Sequence, residues 1–255
     1  MLYGNLIGFF VFILGLCVGS FLNCVVYRLE QEKSLGGRSF CPRCKHTLGW
    51  KDLLPVFSWV FLVGKCRYCK GKISWQYPLV ELATGFLFLL VYAIFGQNLV
   101  YLLFLLYIVC VFVVIFVYDL KHYLIPDKIL FPAIAVASMY RIFGDFYGLP
   151  NYILAVIIGS GFFLIIFLIS KGNWMGFGDV KLAILMGLLL GVPNILLALF
   201  LAFFLGAIIG LMLMAQKKKG LRSEIPFGPF LILGTFLSIF WADKIIQWYL
   251  NFFQI

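Results

Sequence analysis

Eight stretches of this chain, residues 4–27, 79–95, 98–118, 129–143, 149–170, 180–192, 194–215 and 226–250, are apolar and nearly free of charge. A helix crossing about 30 Å of hydrocarbon needs roughly 20 such residues. The chain therefore reads as an all-α polytopic membrane protein with about eight transmembrane helices. Composition agrees, since 64% of residues are hydrophobic and only 12% charged, far from the balance of a soluble domain. The run at 180–192 is the shortest and also fits a partial or re-entrant helix. The first run has no basic segment before it, exceeds a signal core in length, and meets its first charge, Arg28, only afterwards. It reads as a retained span.

Lysine and arginine set the orientation, because loops rich in them stay on the cytoplasmic side. Ten of the 20 lie between Arg28 and Lys72, and eight more lie in the loops with Lys121 and Lys128, Lys171 and Lys181, and residues 217–222. An N-terminus outside puts all four loops in the cytoplasm and leaves only Arg141 and Lys244 on the other face. Trp50, Trp75, Trp174, Trp241 and Trp248 fall near span ends, where indoles favour the interface. The net charge of +10 is then explained by topology and by contact with acidic membrane lipid, with no need for a nucleic-acid partner.

The sizeable polar segment between the first two runs carries Cys41-x2-Cys44 and, 21 residues on, Cys66-x2-Cys69. Two such pairs, each straddling a tight turn, suit a tetrahedral ion of zinc size. Disulfides are the other possibility, but they do not persist in a reducing compartment. Four thiolates close the coordination sphere, so the expected zinc is structural, holding a loop too small for a core of its own. Cys17, Cys24 and Cys110 sit in apolar runs and read as packing residues. His46 and His122 are isolated, with neither an HExxH pattern nor a serine partner.

Only ten acids occur in the chain, and carboxylates at membrane depth tend to be functional. Glu30, Glu32, Asp52, Asp145, Glu224 and Asp243 fit loops or span ends. Asp119 closes the third apolar run and Asp179 opens the sixth, both on the cytoplasmic side of the expected topology. Two carboxylates meeting there have the arrangement needed for one to deprotonate a water while its protonated partner donates to a carbonyl oxygen. Beside Asp179, Gly176 and Gly178 would let the backbone turn sharply and approach a substrate strand, but Asp179 equally fits a simple helix cap. Asp127, between a proline and an apolar run, fits a cap better. Glu81 either snorkels to the interface or belongs to a second site. Asn23 is the polar point of the first span, suited to a neighbouring helix or a ligand, and Arg28 reads as a cytoplasmic anchor. Lys181 fits a lipid phosphate better than a role beside Asp179.

In order along the chain, "GSFLNCVVYRL", "CPRC", "PVFSWVFLVGKCRYC", "ISWQYPLVELATG", "DLKHYLIPD" and "GFGDVKL" resemble the type IV prepilin peptidases, membrane aspartic proteases of the GxGD kind. The resemblance implies that Asp119 and Asp179 are the catalytic pair and that Cys41, Cys44, Cys66 and Cys69 bind the metal. It implies prepilin or pseudopilin precursors as substrates, cut after a glycine at the cytoplasmic face of the bacterial inner membrane. Long members with the cysteine loop often also methylate the new amine with S-adenosylmethionine, for which Asn23 and Glu81 are the candidates. No glycine-rich nucleotide fingerprint independently supports that cofactor. The expected organisation is a first helix at 1–28, a zinc-binding loop at 29–76 and a seven-helix peptidase core at 77–255. Competing expectations are a peptidase without methyl transfer and a proton- or cation-coupled transporter, although the acids lie toward one face instead of the midplane.

Overall fold

The computed structural model describes residues 2–216 and 225–252, with side chains from residue 6. The basic loop at 217–222 and Glu224 lie outside the described residues. The elements in order are α1 (Leu2–Glu30), a 3-10 turn (Trp50–Asp52), α2 (Phe57–Phe61), α3 (Gln76–Phe95), α4 (Leu99–His122), α5 (Asp127–Gly144), α6 (Leu149–Ser170), α7 (Phe177–Leu190), α8 (Asn194–Ala215) and α9 (Gly228–Phe252). Among the described residues the only extended pairings are two isolated bridges, Phe40 with Thr47 and Lys65 with Lys72. Each apolar run has become a helix, and six of the helices are long and apolar enough to cross a membrane. The protein is thus a multi-pass, all-α membrane protein. Of the eight expected spans, two fall outside that six: α5, which carries Asp127, Lys128 and Arg141, and α7, whose 14 residues extend only about 21 Å.

The chain forms two compact units, Met1–Val114 and Ile115–Ile255. In the first, α1 packs along α3. Apolar side chains gain little by leaving lipid for another helix, so close backbone approach must hold such a pair. Gly15 and Gly19 allow it: a Cβ on Gly15 would lie 2.8 Å from Gly85 Cα, and one on Gly19 2.8 Å from Glu81 Cα. Between the two helices runs the cysteine loop. Arg28, at the end of α1, does not reach outward to lipid as an anchor. It is 4% exposed, and its guanidinium donates to the carbonyls of Ser34, Leu35, Gly36, Gly37 and Arg38. It fastens the start of the loop to the helix.

The second unit is organised on α7, which packs against α6, α5 and α9 and is buried along nearly its whole length. Leu182, Ala183, Leu185 and Met186 are fully buried, and a Cβ on Gly187 would meet Val156 N at 2.6 Å. The carbonyl end of α7 is satisfied from the side. Buried Arg141 of α5 donates from Nε to Leu188 O at 2.8 Å and from Nη2 to Leu189 O at 2.7 Å. A cation at a helix C-terminus also complements the helix dipole. Asn151 of α6 pairs with both backbone groups of Val192 just beyond.

Candidate functional site

The cysteine loop is two copies of one turn. In the first, Cys41 N donates to His46 O and Lys45 N to Cys41 O; in the second, Cys66 N donates to Gly71 O and Lys70 N to Cys66 O. Lys45 and Lys70 take the same left-handed conformation, φ 57° and 55°, and each turn is closed by one of the two bridges. The turns bring the sulfurs of Cys41, Cys44, Cys66 and Cys69 within 4.8 Å of one another, with Cys41 Sγ 3.9 Å from Cys69 Sγ. Sulfurs around a tetrahedral zinc with 2.3 Å bonds sit about 3.8 Å apart, so the four fit such an ion. Burial disfavours a Cys41 thiolate, but the amides of Cys44 and Arg43 outweigh it and bring that thiol to about 7. The His46 amide favours a second thiolate at Cys44, yet burial and the neighbouring sulfurs push it up to about 11. A second thiolate beside the first is disfavoured by repulsion, which a cation held among the four sulfurs would offset.

Side chains tie the turns to each other. His46 stacks on Tyr68 at 3.7 Å, and Asp52 accepts from Arg67 Nε at 2.7 Å, Tyr68 OH at 3.2 Å and Gly49 N at 3.1 Å. His46 is thus a packing residue of the loop.

Asn23 and Glu81 both lie in the first unit, buried to 2% and 6% exposure. Asn23 donates to Gly19 O and Tyr77 O and accepts from Gln76 Nε2. Glu81 does not snorkel. It accepts from Val56 N at 2.7 Å, and the Ser20 hydroxyl donates to the same carboxylate. Val56 has φ 61° and ψ −50°, and Phe57 N donates to Pro55 O at 2.6 Å, a γ-turn of the strained kind. A β-branched residue there needs fixing in place, and Glu81 supplies it. Asn23 and Glu81 also line one cavity of about 370 Å³ under the cysteine loop.

Asp119 and Asp179 lie in the second unit. Asp119 is in the last turn of α4, Asp179 in the first turn of α7, and they are 4% and 8% exposed. The Asp119 charge acts on Asp179, so the two acids are within electrostatic reach. An acid in a helix's last turn faces carbonyls and is disfavoured there. Asp119 is compensated by the backbone amide of Gly228, the first residue of α9, which donates to it. A Cβ on Gly228 would stand 2.5 Å from Asp119 Oδ2. Gly228 escaped sequence reasoning; its signal was a glycine before a proline at the start of an apolar run, "FGPF".

Asp179 is not the helix cap. Gly176 holds that position, without a side-chain cap bond. Nor do the flanking glycines form a sharp turn: Gly176 has ordinary extended angles, φ −77° and ψ 151°. Gly178 is small because a Cβ would lie 3.2 Å from Ile125 Cβ. The turn itself comes earlier, at Lys171 and Gly172, with φ 52° and 78°. Asp127 makes no cap bond either; it forms an ion pair with Lys181, which joins the starts of α5 and α7.

The helices define a multi-pass membrane protein in which two buried acids, Asp119 and Asp179, lie in the end turns of their helices. Residues 13–95 match the Bacterial Peptidase A24 N-terminal domain and residues 105–211 the Type IV leader peptidase family. A protein of Aeromonas salmonicida named prepilin leader peptidase/N-methyltransferase is 30% identical, over 94% of this chain and 93% of its own. Proteins of the same name from Pseudomonas aeruginosa (31% identical, 94% of this chain and 92% of theirs) and Bacillus subtilis (32%, 94% and 97%) match along the same extent. The chain belongs to the type IV leader peptidase family. No solved structure gave a significant match.

Proposed function

We propose that this protein removes the basic leader from type IV prepilin-like precursors, prepilins or pseudopilins, at the cytoplasmic face of the bacterial inner membrane. Asp119 and Asp179 are the catalytic pair. The observation that carries this is their joint burial in one unit within electrostatic reach, with the Gly228 amide on Asp119. Two close carboxylates share one proton. The ionised one takes a proton from water as it attacks the scissile carbonyl, and the protonated one donates to the carbonyl oxygen. The N-terminus lies outside, and the basic loops meet acidic headgroups on the cytoplasmic side. Residues 29–76 hold a structural zinc through Cys41, Cys44, Cys66 and Cys69; residues 77–255 form the peptidase core. The name that these relatives share supports a second activity, methylation of the newly exposed amine with S-adenosylmethionine.

The test is cleavage of a purified prepilin by the purified full chain. Asp119→Asn and Asp179→Asn should each reduce cleavage by about 10³-fold or more. Undiminished cleavage by either variant would exclude the pair. Mass measurement of the mature N-terminus, with and without S-adenosylmethionine, separates a bifunctional enzyme from a peptidase alone.

A further inference from the structure

We propose that the outward face of α2 and the groove beside it dock the cysteine loop onto the bilayer that α1 and α3 cross, with the headgroup phosphate of an acidic phospholipid held at Lys65 and Lys72. The docking rests on the headgroup contact in the function proposed above, to which it gives a place, and on nothing in the catalytic pair. All of its residues belong to the first unit.

α2 is turned the wrong way for a loop in water. Phe57, Val60 and Phe61, at spacings of three and four, share one face of the helix and are exposed, and Val63 follows them. Phe61 and Val63 are the most open, at 81% and 78% exposure. The polar residue of the helix, Ser58, lines the cavity under the loop on the other side. Trp75, also exposed, extends the patch to the start of α3. An apolar face of this kind marks a contact with lipid or protein.

Depth selects lipid. α3, at 20 residues, extends about 30 Å, the thickness of the hydrocarbon itself, so it has no length to spare and its start must lie at the membrane boundary. Glu81 is about 8 Å further along the helix, and its carboxylate accepts from Val56 N at 2.7 Å. Val56, which precedes α2, is therefore pinned at or below the headgroups. From the other end, Trp59 Nε1 donates to Ile73 O at 3.3 Å, its ring lies 4.0 Å from that of Trp75, and Ile73 N donates to Gly64 O at 2.7 Å. α2 cannot swing away from the boundary without breaking these bonds. Indole rings at that level, and a helix with its aromatic side turned to the acyl chains, are what interfacial segments present.

Charge selects the kind of lipid. A groove of about 930 Å³ runs between α2 and the second cysteine turn, lined by Trp59, Val60, Val63, Lys65, Lys72 and Trp75. Lys65 and Lys72 stand opposite each other in an antiparallel bridge, both exposed, and neither has a carboxylate partner among the described residues. Like charges directly opposite are unfavourable alone. A phosphate between them removes the repulsion, with the lysine stems lying along the apolar wall. The same charges disfavour other occupants. The leader of the proposed substrate is itself basic, and a second copy docked face to face would bring its own Lys65 and Lys72.

The test uses the full chain in nanodiscs of mixed phosphatidylcholine and phosphatidylglycerol. A photoreactive benzophenone side chain replaces that of Phe61 or, in a second preparation, that of Val63, and the adducts are identified by mass. Lipid adducts are expected at both positions, with phosphatidylglycerol favoured over phosphatidylcholine about tenfold beyond their ratio in the bilayer. Lys65→Gln with Lys72→Gln should reduce that preference to less than about threefold, with an unchanged far-ultraviolet spectrum as the check on the fold. Adducts on peptides of this chain or of a second copy in place of lipid, or no adduct at either position, would overturn the docking. Lipid adducts without the preference, or a preference that survives the lysine substitutions, would overturn the phosphate site. A chain that cleaves prepilin yet gives no lipid adduct would overturn the docking alone. Lipid adducts in a chain that cleaves nothing would support the docking and count against the peptidase.

Discussion

The backbone amide of Gly228 and the carboxylate of Asp119 join the first residue of α9 to the last turn of α4, and no side chain fits between them: a Cβ on Gly228 would lie 2.5 Å from Oδ2. Substituting alanine should therefore displace the carboxylate without harming the helix, since alanine is the better helix former. Gly228→Ala is expected to lower kcat/KM for prepilin cleavage by about 10²-fold, as loss of one donor on a reacting charge does elsewhere, with the thermal midpoint nearly unchanged. A variant cleaving at the wild-type rate would show that the Asp119 carboxylate tolerates the displacement.

In the proposed mechanism Asp119 and Asp179 share one proton, so their contributions should not add. The double variant Asp119→Asn, Asp179→Asn is expected to be no slower than the slower single variant within about threefold. The pH profile of kcat/KM should be bell-shaped, because activity requires one ionised and one protonated carboxylate. Independent, multiplying losses in a two-by-two kinetic comparison would rule out a shared proton.

The helices were legible because apolar runs in lipid leave the backbone no alternative, and the knuckles because ligand spacing is itself a local property. The site was legible in part. Asp119 and Asp179 were two of four acids placed where acids are disfavoured, and the family resemblance chose them over Glu81 and Asp127; Gly228 gave no such sign, because its contact depends on where α9 begins relative to α4. Arg28 and Arg141 were misleading in another way. As charges they reported topology, yet both are buried and spend their guanidinium groups on carbonyls, which only the folded chain places. Glu81 looked like a snorkelling or second-site acid, and the Val56 turn it holds has no signature beyond a preceding proline.

Asp52 links the loop to its second turn, and its behaviour with pH follows from those contacts. Burial works to raise it, but the bonds from Arg67, Gly49 and Tyr68 outweigh burial and hold it below its ordinary value of 3.8. A carboxylate depressed on folding stabilises the fold above its unfolded value, and that contribution is lost as pH falls through its folded value. The difference in unfolding midpoint between wild type and Asp52→Asn should thus be full at pH 6–7 and shrink below about pH 4. A pH-independent difference would assign the effect to shape alone.

The four cysteines make a sharper stability prediction. A loop with so few buried apolar residues would depend on a metal held by its four cysteines for folding. Cys41→Ser with Cys44→Ser, or chelation of the wild type, should drop bound metal from about one ion per chain to none and open residues 31–75 to protease, while α1 and α3 stay protected by their own packing. Metal retained by the double variant would count against a four-thiolate site.

Arg141 makes the largest stability demand. Its guanidinium satisfies Leu188 O and Leu189 O, at 2.8 and 2.7 Å, and lies 3.8 Å from the Tyr152 ring centre. α7 ends there after 14 residues, too short to bring both its ends to water in a bilayer, so its last carbonyls need a donor from the protein. Arg141→Met keeps the stem and removes both donors. It should destabilise the fold by about 3 kcal/mol, the worth of two charge-assisted bonds to buried carbonyls less what relaxation recovers. Arg141→Lys, with one donor atom and no planar fork, should fall between. Unfolding by graded detergent, read by tryptophan fluorescence, gives the order. Cleavage should fall with it, because α7 carries Asp179 at its opposite end. If Arg141→Met proved as stable as wild type, the carbonyl end of α7 would have to find its partners elsewhere.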